Sequence, residues 1–420
     1  MTTRITAAVP RPGLRPGLRP GLRPAPAEDI AVPFADCDIT AEAQAAVLRV
    51  LQSGWVTTGR EVAAFEAEFA TAVGAEFAVA VSSCTQGIEL ALRSLGLPPG
   101  SLVLSSTMTF CGAVQAIVHA GHQPVLVDVD PATGMPTPAT VRTAVRAYGP
   151  PAALTVVHWA GDVADVPALV EAAGVPLDRV VVDAAHALGT YAGDAPVGSG
   201  PGTTCFSFYA TKNLPLGEGG MITTDDGERA EWLRKARLHG MTADAWRRYL
   251  PGGSWRYNVA DAGLKANMTD IQAAMGRAQL VHLPSWQRRR AQIAARYDEQ
   301  LAGLPGVGLP HRPAPGDGTH AWHLYPVRLR LNGGVDRDEV IAALSERAIG
   351  TSVHFIPVHK LAYFSQAALI PSAGLTGADA LFDQLLSLPM YPRLTAEQVD
   401  AVCTAITGIA HQGISGKGTE

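Results

Sequence analysis

No long run of one charge occurs in the 420 residues, and 33 lysines and arginines stand against 38 aspartates and glutamates for a formal net charge of −5. That balance argues against nucleic acid or an anionic membrane as the main partner, while leaving local positive sites free to hold a phosphate. No apolar run approaches the roughly 18 residues of a membrane helix. The arginine-bearing N-terminus lacks the apolar segment that a signal peptide needs. The five cysteines (Cys37, Cys84, Cys111, Cys205, Cys403) are odd in number, scattered and never in CxxC spacing. They read as reduced thiols of a soluble cytoplasmic protein. No metal site is expected.

What the chain does have is apolar bulk. At 47% hydrophobic and 17% charged it can bury a large core, and its length favours two domains or one large α/β domain with an appendage. Residues Arg11–Pro24 read "RPGLRPGLRPGLRP", a repeat that cannot build a core, so residues 1–28 are expected to form a flexible tail. Beyond Pro33, helical stretches (Ile39–Gly54, Glu61–Gly74) alternate with short β-branched runs. Strands are expected at Phe77–Ser83, Leu102–Ser106, Pro124–Asp130, Ala153–Trp159, Arg179–Ala185, Thr203–Tyr209 and Met221–Thr224. Near-continuous apolar strands alternating with helices imply a mostly parallel sheet covered on both faces. The expected fold class is α/β: a large domain, 29–284, with such a sheet flanked by helices, and a smaller α+β domain, 285–420. The latter begins with a long helix, Ser285–Leu304, whose Arg288-Arg289-Arg290 reads as a solvated face. A helix from Asp336 to Ala348 and a last one after Thr395 follow, the latter with Gln398 at capping-box spacing.

Four places could carry chemistry. In "AVAVSSCTQGIELAL" a strand runs straight into a helix, with Ser83 and Gln86 at capping-box spacing. One reading is a capped helix; the other is a phosphate held by the free N–H groups of Cys84 and Thr85 and the Thr85 hydroxyl. The loop has no GxGxxG or Walker pattern, so it suggests neither NAD nor ATP. Asp183, in "VVVDAAHALG", ends an apolar strand where open α/β sheets bind ligands, and needs a cation or several donors to stay ionised. His186 either bonds that carboxylate or a ligand ring, or is a satisfied structural histidine. Phe110, after another strand end, is a core aromatic or a flat platform. Lys212, in "CFSFYATKNLPLGEGG", is a lysine carried into the floor of a cleft, where enclosure lowers its pKa. A helix terminus for phosphate, a carboxylate for a ring nitrogen, an aromatic for a ring face and an amine for an aldehyde together match the needs of pyridoxal 5′-phosphate (PLP).

The sequence resembles the DegT/StrS family of PLP-dependent sugar aminotransferases over residues 30–412. The stretches that carry the likeness include "SGWVTTGREVAAFEAEFA", "VSSCTQGIELALRSLG", "VVDAAHALGTY", "FSFYATKNLPLGEGG", "LKANMTDIQAAMGRAQL", "HAWHLYPVRL" and "GTSVHFIPVHKLAYF". The resemblance implies an aspartate-aminotransferase-like type I fold and a homodimer with active sites shared across its interface. It implies that Lys212 is the Schiff-base lysine and Asp183 the partner of the pyridine nitrogen. Cys84 and Thr85 fall on the phosphate turn, although relatives often have glycine or alanine at Cys84. By the same likeness Ser207 also reaches the phosphate, Phe110 stacks on the ring and His186 lies beside the ring hydroxyl. Lys265 and Asn267 fall on a segment that enters the neighbouring subunit's site to meet phosphate or substrate, with Ala266 where many relatives have an aromatic. Through "SGWVTTG", "HAWHLY" and "GTSVHF" the likeness extends to enzymes aminating the 4-keto carbon of nucleotide-linked sugars, including the UDP-4-amino-4-deoxy-L-arabinose type, with L-glutamate as donor. A keto-cyclitol or 3-keto sugar would leave the same catalytic core. A PLP-dependent sugar dehydratase would carry histidine at the lysine position, and a non-catalytic binding protein would have no use for the lysine and aspartate.

Overall fold

Every apolar run named above forms a strand. The computed structural model describes residues 31–200, 202–242, 255–331 and 335–412; the tail 1–28 and its repeat lie outside the described residues. In chain order the first strands are β1 (Phe77–Val81), β2 (Leu102–Ser106), β3 (Gln123–Val127), β4 (Ala153–Val157) and β5 (Val180–Asp183). A small ribbon follows, β6 (Tyr191–Ala192) with β7 (Ala195–Pro196), then β8 (Thr203–Ser207) and β9 (Gly220–Thr224). Seven of these make one sheet in the order β1-β9-β8-β5-β4-β2-β3. Side chains alternate across it, as a period of two demands. Val180 and Val182 enter one core with Phe65, Phe69 and Phe206, while Val181 faces the other side with Val79, Leu90 and Ile222. Burial on both faces is why the strands read as continuous apolar runs.

Only β9 runs against its neighbours, pairing antiparallel with both β1 and β8. Residues 208–219 return the chain without a helical crossover, and a strand joined that way comes back antiparallel. This return loop carries Lys212. Its end is tight: a Cβ on Gly220 would meet the Cys84 nitrogen at 2.7 Å and the Phe206 oxygen at 2.9 Å. Glycine is what lets β9 start beside the turn after β1.

The helices are α1 (Ala41–Ser53), α2 (Arg60–Val73), α3 (Cys84–Arg93), α4 (Cys111–His119), α5 (Pro138–Tyr148), α6 (Val166–Ala173), α7 (Gly227–Ala236) and α8 (Asp270–Leu280). Thr40 caps the start of α1, and Gly54, at φ 75°, ends it. No side chain of its own caps α2. Instead the Asp270 carboxylate accepts from the N–H groups of Gly59 (2.7 Å), Glu61 (3.3 Å) and Val62 (3.1 Å). That ties α2 to the start of α8, where Thr269 and Gln272 form a full capping box.

The long helix α9 spans Leu283–Leu301, somewhat earlier than the expected Ser285–Leu304. Its arginines correct the solvated-face reading. Arg288 is exposed, but Arg290 is 3% exposed and donates to the carbonyls of Trp322 (3.0 Å) and Met390 (2.9 Å). Arg289 donates to those of Pro392 (3.3 Å) and Leu394 (2.6 Å). Consecutive helical residues point about 100° apart, so three arginines in a row cannot share one solvent face. Strands β10 (Val307–Gly308), β11 (Tyr325–Leu329) and β12 (Leu385–Leu388) form an antiparallel sheet against α9. Helices α10 (Arg337–Ser345), α11 (Phe364–Ala367), α12 (Thr376–Phe382) and α13 (Ala396–Gln412) follow among the described residues. Tyr297, Val327, Leu386 and Val402 share this second core with Val32, whose N–H and carbonyl bond the backbone at Ala348 and Gly350. Phe364 and Leu375 pack on Val114 and Leu126 in a separate small cluster, and Leu324, Ala378, Leu381 and Leu385 enter the first core from the C-terminal part of the chain.

Candidate active site

The parallel strands deliver their C-terminal ends to one edge of the sheet, where ligands of open α/β folds bind. Ser83, Cys84 and Thr85 follow β1, Thr109 and Phe110 follow β2, and His158 follows β4. Asp183 ends β5, with His186 just beyond, and Ser207 ends β8. All of them line one cavity of about 490 Å³, together with Lys212, Glu218, His323, His354 and Phe355. That size lies within the roughly 300–1,000 Å³ range of small-molecule sites.

One end of the cavity is built for an anion. Cys84 and Thr85 are the first two residues of α3, whose N-cap Ser83 accepts from Gln86 N–H at 3.2 Å. The sequence predicted a reciprocal box, but the Gln86 side chain turns to the Ser82 hydroxyl instead. The N–H groups of Cys84 and Thr85 take no acceptor among the described residues, as expected of a first helical turn. They and the positive end of α3 face the cavity beside the hydroxyls of Thr85 and Ser207. A Cβ on Gly112 would come within 2.6 Å of the Thr85 hydroxyl, so that glycine keeps space for it.

Deeper in the cavity Asp183 is 7% exposed. One oxygen accepts from Ala185 N–H at 3.0 Å and lies 3.8 Å from the Cys84 sulfur. Burial pushes this carboxyl up from its ordinary value, while Ala185 N–H, the charge of Lys212 and the Cys84 thiol oppose the shift. The same burial holds the Cys84 thiol well above its usual range. Lys212 is pushed down to about 8 by burial, against the pull of Asp183 and Cys84. A neutral amine near pH 8 is a nucleophile and a base.

Imidazoles make up much of the remaining wall. His186 accepts Ala160 N–H on Nδ1 at 3.2 Å, and its ring centre lies 4.4 Å from that of His323. No hydrogen bond joins it to Asp183 among the described residues, so of the partners considered from sequence the carboxylate is not one. His323 places Nε2 3.4 Å from Lys212 Nζ. Burial holds His186 and His323 well below the usual histidine range and His354 at about 4, with Lys212 adding to each shift. Phe110 lines the cavity, is 58% exposed and lies with its ring 5.9 Å from that of Phe355, so it is not a core aromatic.

Lys265 and Asn267 are not brought into this cavity. Asn267 bridges to Val81 at the end of β1 and donates to the Thr58 hydroxyl at 2.6 Å. Lys265 is exposed and donates to Asn267 Oδ1 at 2.6 Å. Sequence reasoning gave no role to His158, Tyr209, His323, His354 or Phe355. "HAWHLY" and "GTSVHF" carried family likeness, but nothing in their spacing joins them to Lys212.

A cavity with unpaired N–H donors at one end, a buried carboxylate beyond and a low-pKa amine on its floor fits PLP. Residues 37–407 match the model of the DegT/DnrJ/EryC1/StrS aminotransferase family. The chain is 43% identical over 365 residues to the spore coat polysaccharide biosynthesis protein SpsC of Bacillus subtilis, covering 86% of this chain and 93% of that one. Among solved structures it resembles S. venezuelae DesV, captured with a ketimine intermediate, at TM-score 0.80 and 35% identity over 91% of this chain and 99% of that one. It also resembles Spr1654 of Streptococcus pneumoniae, solved in its PMP form, at TM-score 0.82 and 30% identity over 90% and 99% of the two chains, and in a PLP form. Site chemistry and likeness agree, and the chain belongs to the DegT/DnrJ/EryC1/StrS aminotransferase family of PLP-dependent sugar aminotransferases.

Proposed function

We propose that this protein moves an amino group from L-glutamate to the 4-keto carbon of a nucleotide-linked sugar, working as a homodimer whose subunits share their active sites. The observation that carries the reading is the Lys212 amine, pushed down to about 8 and facing the same cavity as Asp183 and the open N-terminus of α3. The N–H groups of Cys84 and Thr85, with the hydroxyls of Thr85 and Ser207, hold the cofactor phosphate. Asp183 keeps a proton on the ring nitrogen, Phe110 covers one ring face and His186 stands beside the ring hydroxyl. When bound, the cofactor supplies the electron sink that makes a carbon–hydrogen bond next to nitrogen labile. Lys212 Nζ takes the proton from the α-carbon of the donor amino acid and, in the second half of the cycle, returns one to the sugar carbon. The donor leaves as its 2-keto acid and the keto sugar as an amino sugar. Lys265 and Asn267, outside the cavity of their own chain, serve the neighbouring site.

The 4-keto assignment is supported by the stretches "SGWVTTG", "HAWHLY" and "GTSVHF", and a sugar substrate by a relative named for polysaccharide biosynthesis. Tyr209 and Glu218, exposed beside the cavity, offer a phenol and a carboxylate to sugar hydroxyls. A panel of 3- and 4-keto nucleotide-linked sugars and keto-cyclitols, each with glutamate or glutamine, tests the reading. Turnover of a 4-keto nucleotide sugar with glutamate is expected; turnover confined to a keto-cyclitol or a 3-keto sugar would overturn it. Borohydride reduction of the loaded enzyme, followed by peptide mapping, should find the cofactor on Lys212.

A further inference from the structure

A chain of side chains leads from α9 to Lys212, and its hydrogen bonds permit one arrangement. Gln287, on α9, donates through Nε2 to the carbonyls of Leu188 (3.2 Å) and Gly189 (3.4 Å). Carbonyls only accept, so the Gln287 oxygen faces the other way, toward Asn213. Asn213 donates through Nδ2 to that oxygen at 2.9 Å and to the Ala321 carbonyl at 2.8 Å. With both donors used, its Oδ1 is left facing His323 Nδ1 at 3.1 Å. An amide oxygen cannot donate, so His323 carries its proton on Nδ1, and Nε2 presents a bare lone pair to Lys212 Nζ at 3.4 Å. His186 and His158 are opposite cases. Their Nδ1 atoms accept from the N–H groups of Ala160 and Ala164, both at 3.2 Å, so their protons sit on Nε2. His186 and His323, 4.4 Å apart, therefore hold opposite tautomers.

We propose that Gln287 and Asn213 are positioning residues that lock His323 with its Nε2 lone pair on Lys212, so that the amine has a fixed acceptor whenever it carries the transferred proton. The inference rests on the assignment of Lys212 made above. Several groups set the charge around that amine. Asp183 and Cys84 favour the ammonium, and the imidazoles of His186, His323 and His354 lie within its field. Arg290 acts on His323 from α9. Burial and these neighbours keep His323 neutral, and a neutral Nε2 can accept from Lys212 whichever protonation state the amine is in. Without the lock the ring could place an N–H against Lys212, favouring the neutral amine at the expense of the ammonium.

Two measurements on cofactor-free protein test this. Nitrogen-15 NMR of histidine-labelled protein, assigned through His323→Gln and His186→Gln, should show His323 protonated on Nδ1 and His186 on Nε2. An Nε2-protonated His323 would overturn the proposal. The second measurement follows acetylation of Lys212 against pH by peptide mass spectrometry. Asn213→Leu removes the lock and should lower the midpoint by about one pH unit, a ten-fold loss of proton affinity; an unmoved midpoint in the folded variant would also overturn it. The NMR result needs no change at Asn213, so it stands even if that variant fails to fold. Neither measurement involves the cofactor. Absence of cofactor from Lys212 after borohydride treatment would therefore count against the functional reading, and a wrong tautomer against the lock alone.

Discussion

Lys212 faces a wall in which burial holds each neighbouring imidazole neutral, and the same burial lowers its own pKa to about 8. The sign of the consequence is fixed: the neutral amine reacts, so reactivity appears as pH rises through the folded pKa. A lysine of ordinary pKa near 10.4 is still almost wholly charged at pH 8. Acetylation of Lys212 in cofactor-free protein should thus show a midpoint near 8, and a midpoint near 10 would contradict the burial argument. Asp183 makes the complementary prediction. Asp183→Asn preserves shape and the acceptor for Ala185 N–H, but loses the charge that in the proposed function keeps a ring nitrogen protonated. Single-turnover conversion with glutamate should fall by about a hundred-fold while cofactor affinity changes little; an unchanged rate would make Asp183 structural. Asp183 was visible in the sequence as a charged residue at the end of an apolar strand, and Lys212 as a lysine in the apolar return between two strands. The tautomer of His323 was not, since it depends on Asn213 and Gln287 arriving from two other segments.

Among the elements, α2 shows how a helix can be completed from elsewhere in the chain. It starts after Gly59, which has no side chain to cap it, and Asp270 supplies the acceptor for three of its first N–H groups. Gly59 is required for this, because a Cβ there would meet Asp270 Oδ2 at 2.6 Å. Asp270→Ala should destabilise the protein by about 2–3 kcal/mol, since each unsatisfied buried donor costs about 1–3 kcal/mol and water reaches some of them. Urea unfolding measures it, and a loss below about 0.5 kcal/mol would show that the cap contributes little. From the sequence Asp270 was no more than an acidic residue in the first turn of its own helix. The capping box at Thr395 was legible because both partners lie within one turn, although the same spacing at Ser83 formed only half a box.

At the scale of the whole molecule, the position of Lys265 is informative. It is exposed and outside the cavity of its own chain, yet its segment runs beside the end of β1, where Ser82 N–H donates to the Ala266 carbonyl at 2.8 Å. The proposed dimer gives that position a use, as a cation for a phosphate in the neighbouring site. Lys212→Ala and Lys265→Ala chains should each be strongly impaired alone. Mixed and allowed to exchange, they should regain activity, because one site in each mixed dimer receives both lesions and the other none. Impaired parents that exchange subunits without recovery would place Lys265 outside catalysis.

Composition and period by themselves determined the α/β alternation and the mostly parallel sheet, because both signals are local, while most strands end two or three residues before the apolar runs do. They also placed Cys84, Phe110 and Asp183 at strand or helix ends. Tertiary structure decided the antiparallel return of β9, the inward turn of Arg290, the capping of α2 by Asp270 and the imidazole wall around Lys212. Each of these joins residues far apart in the chain through hydrogen bonds that need a particular atom facing a particular way. The local pattern of a sequence records which residues are buried together on one element, and carries no trace of which distant carbonyl will meet an arginine or which amide will hold a histidine.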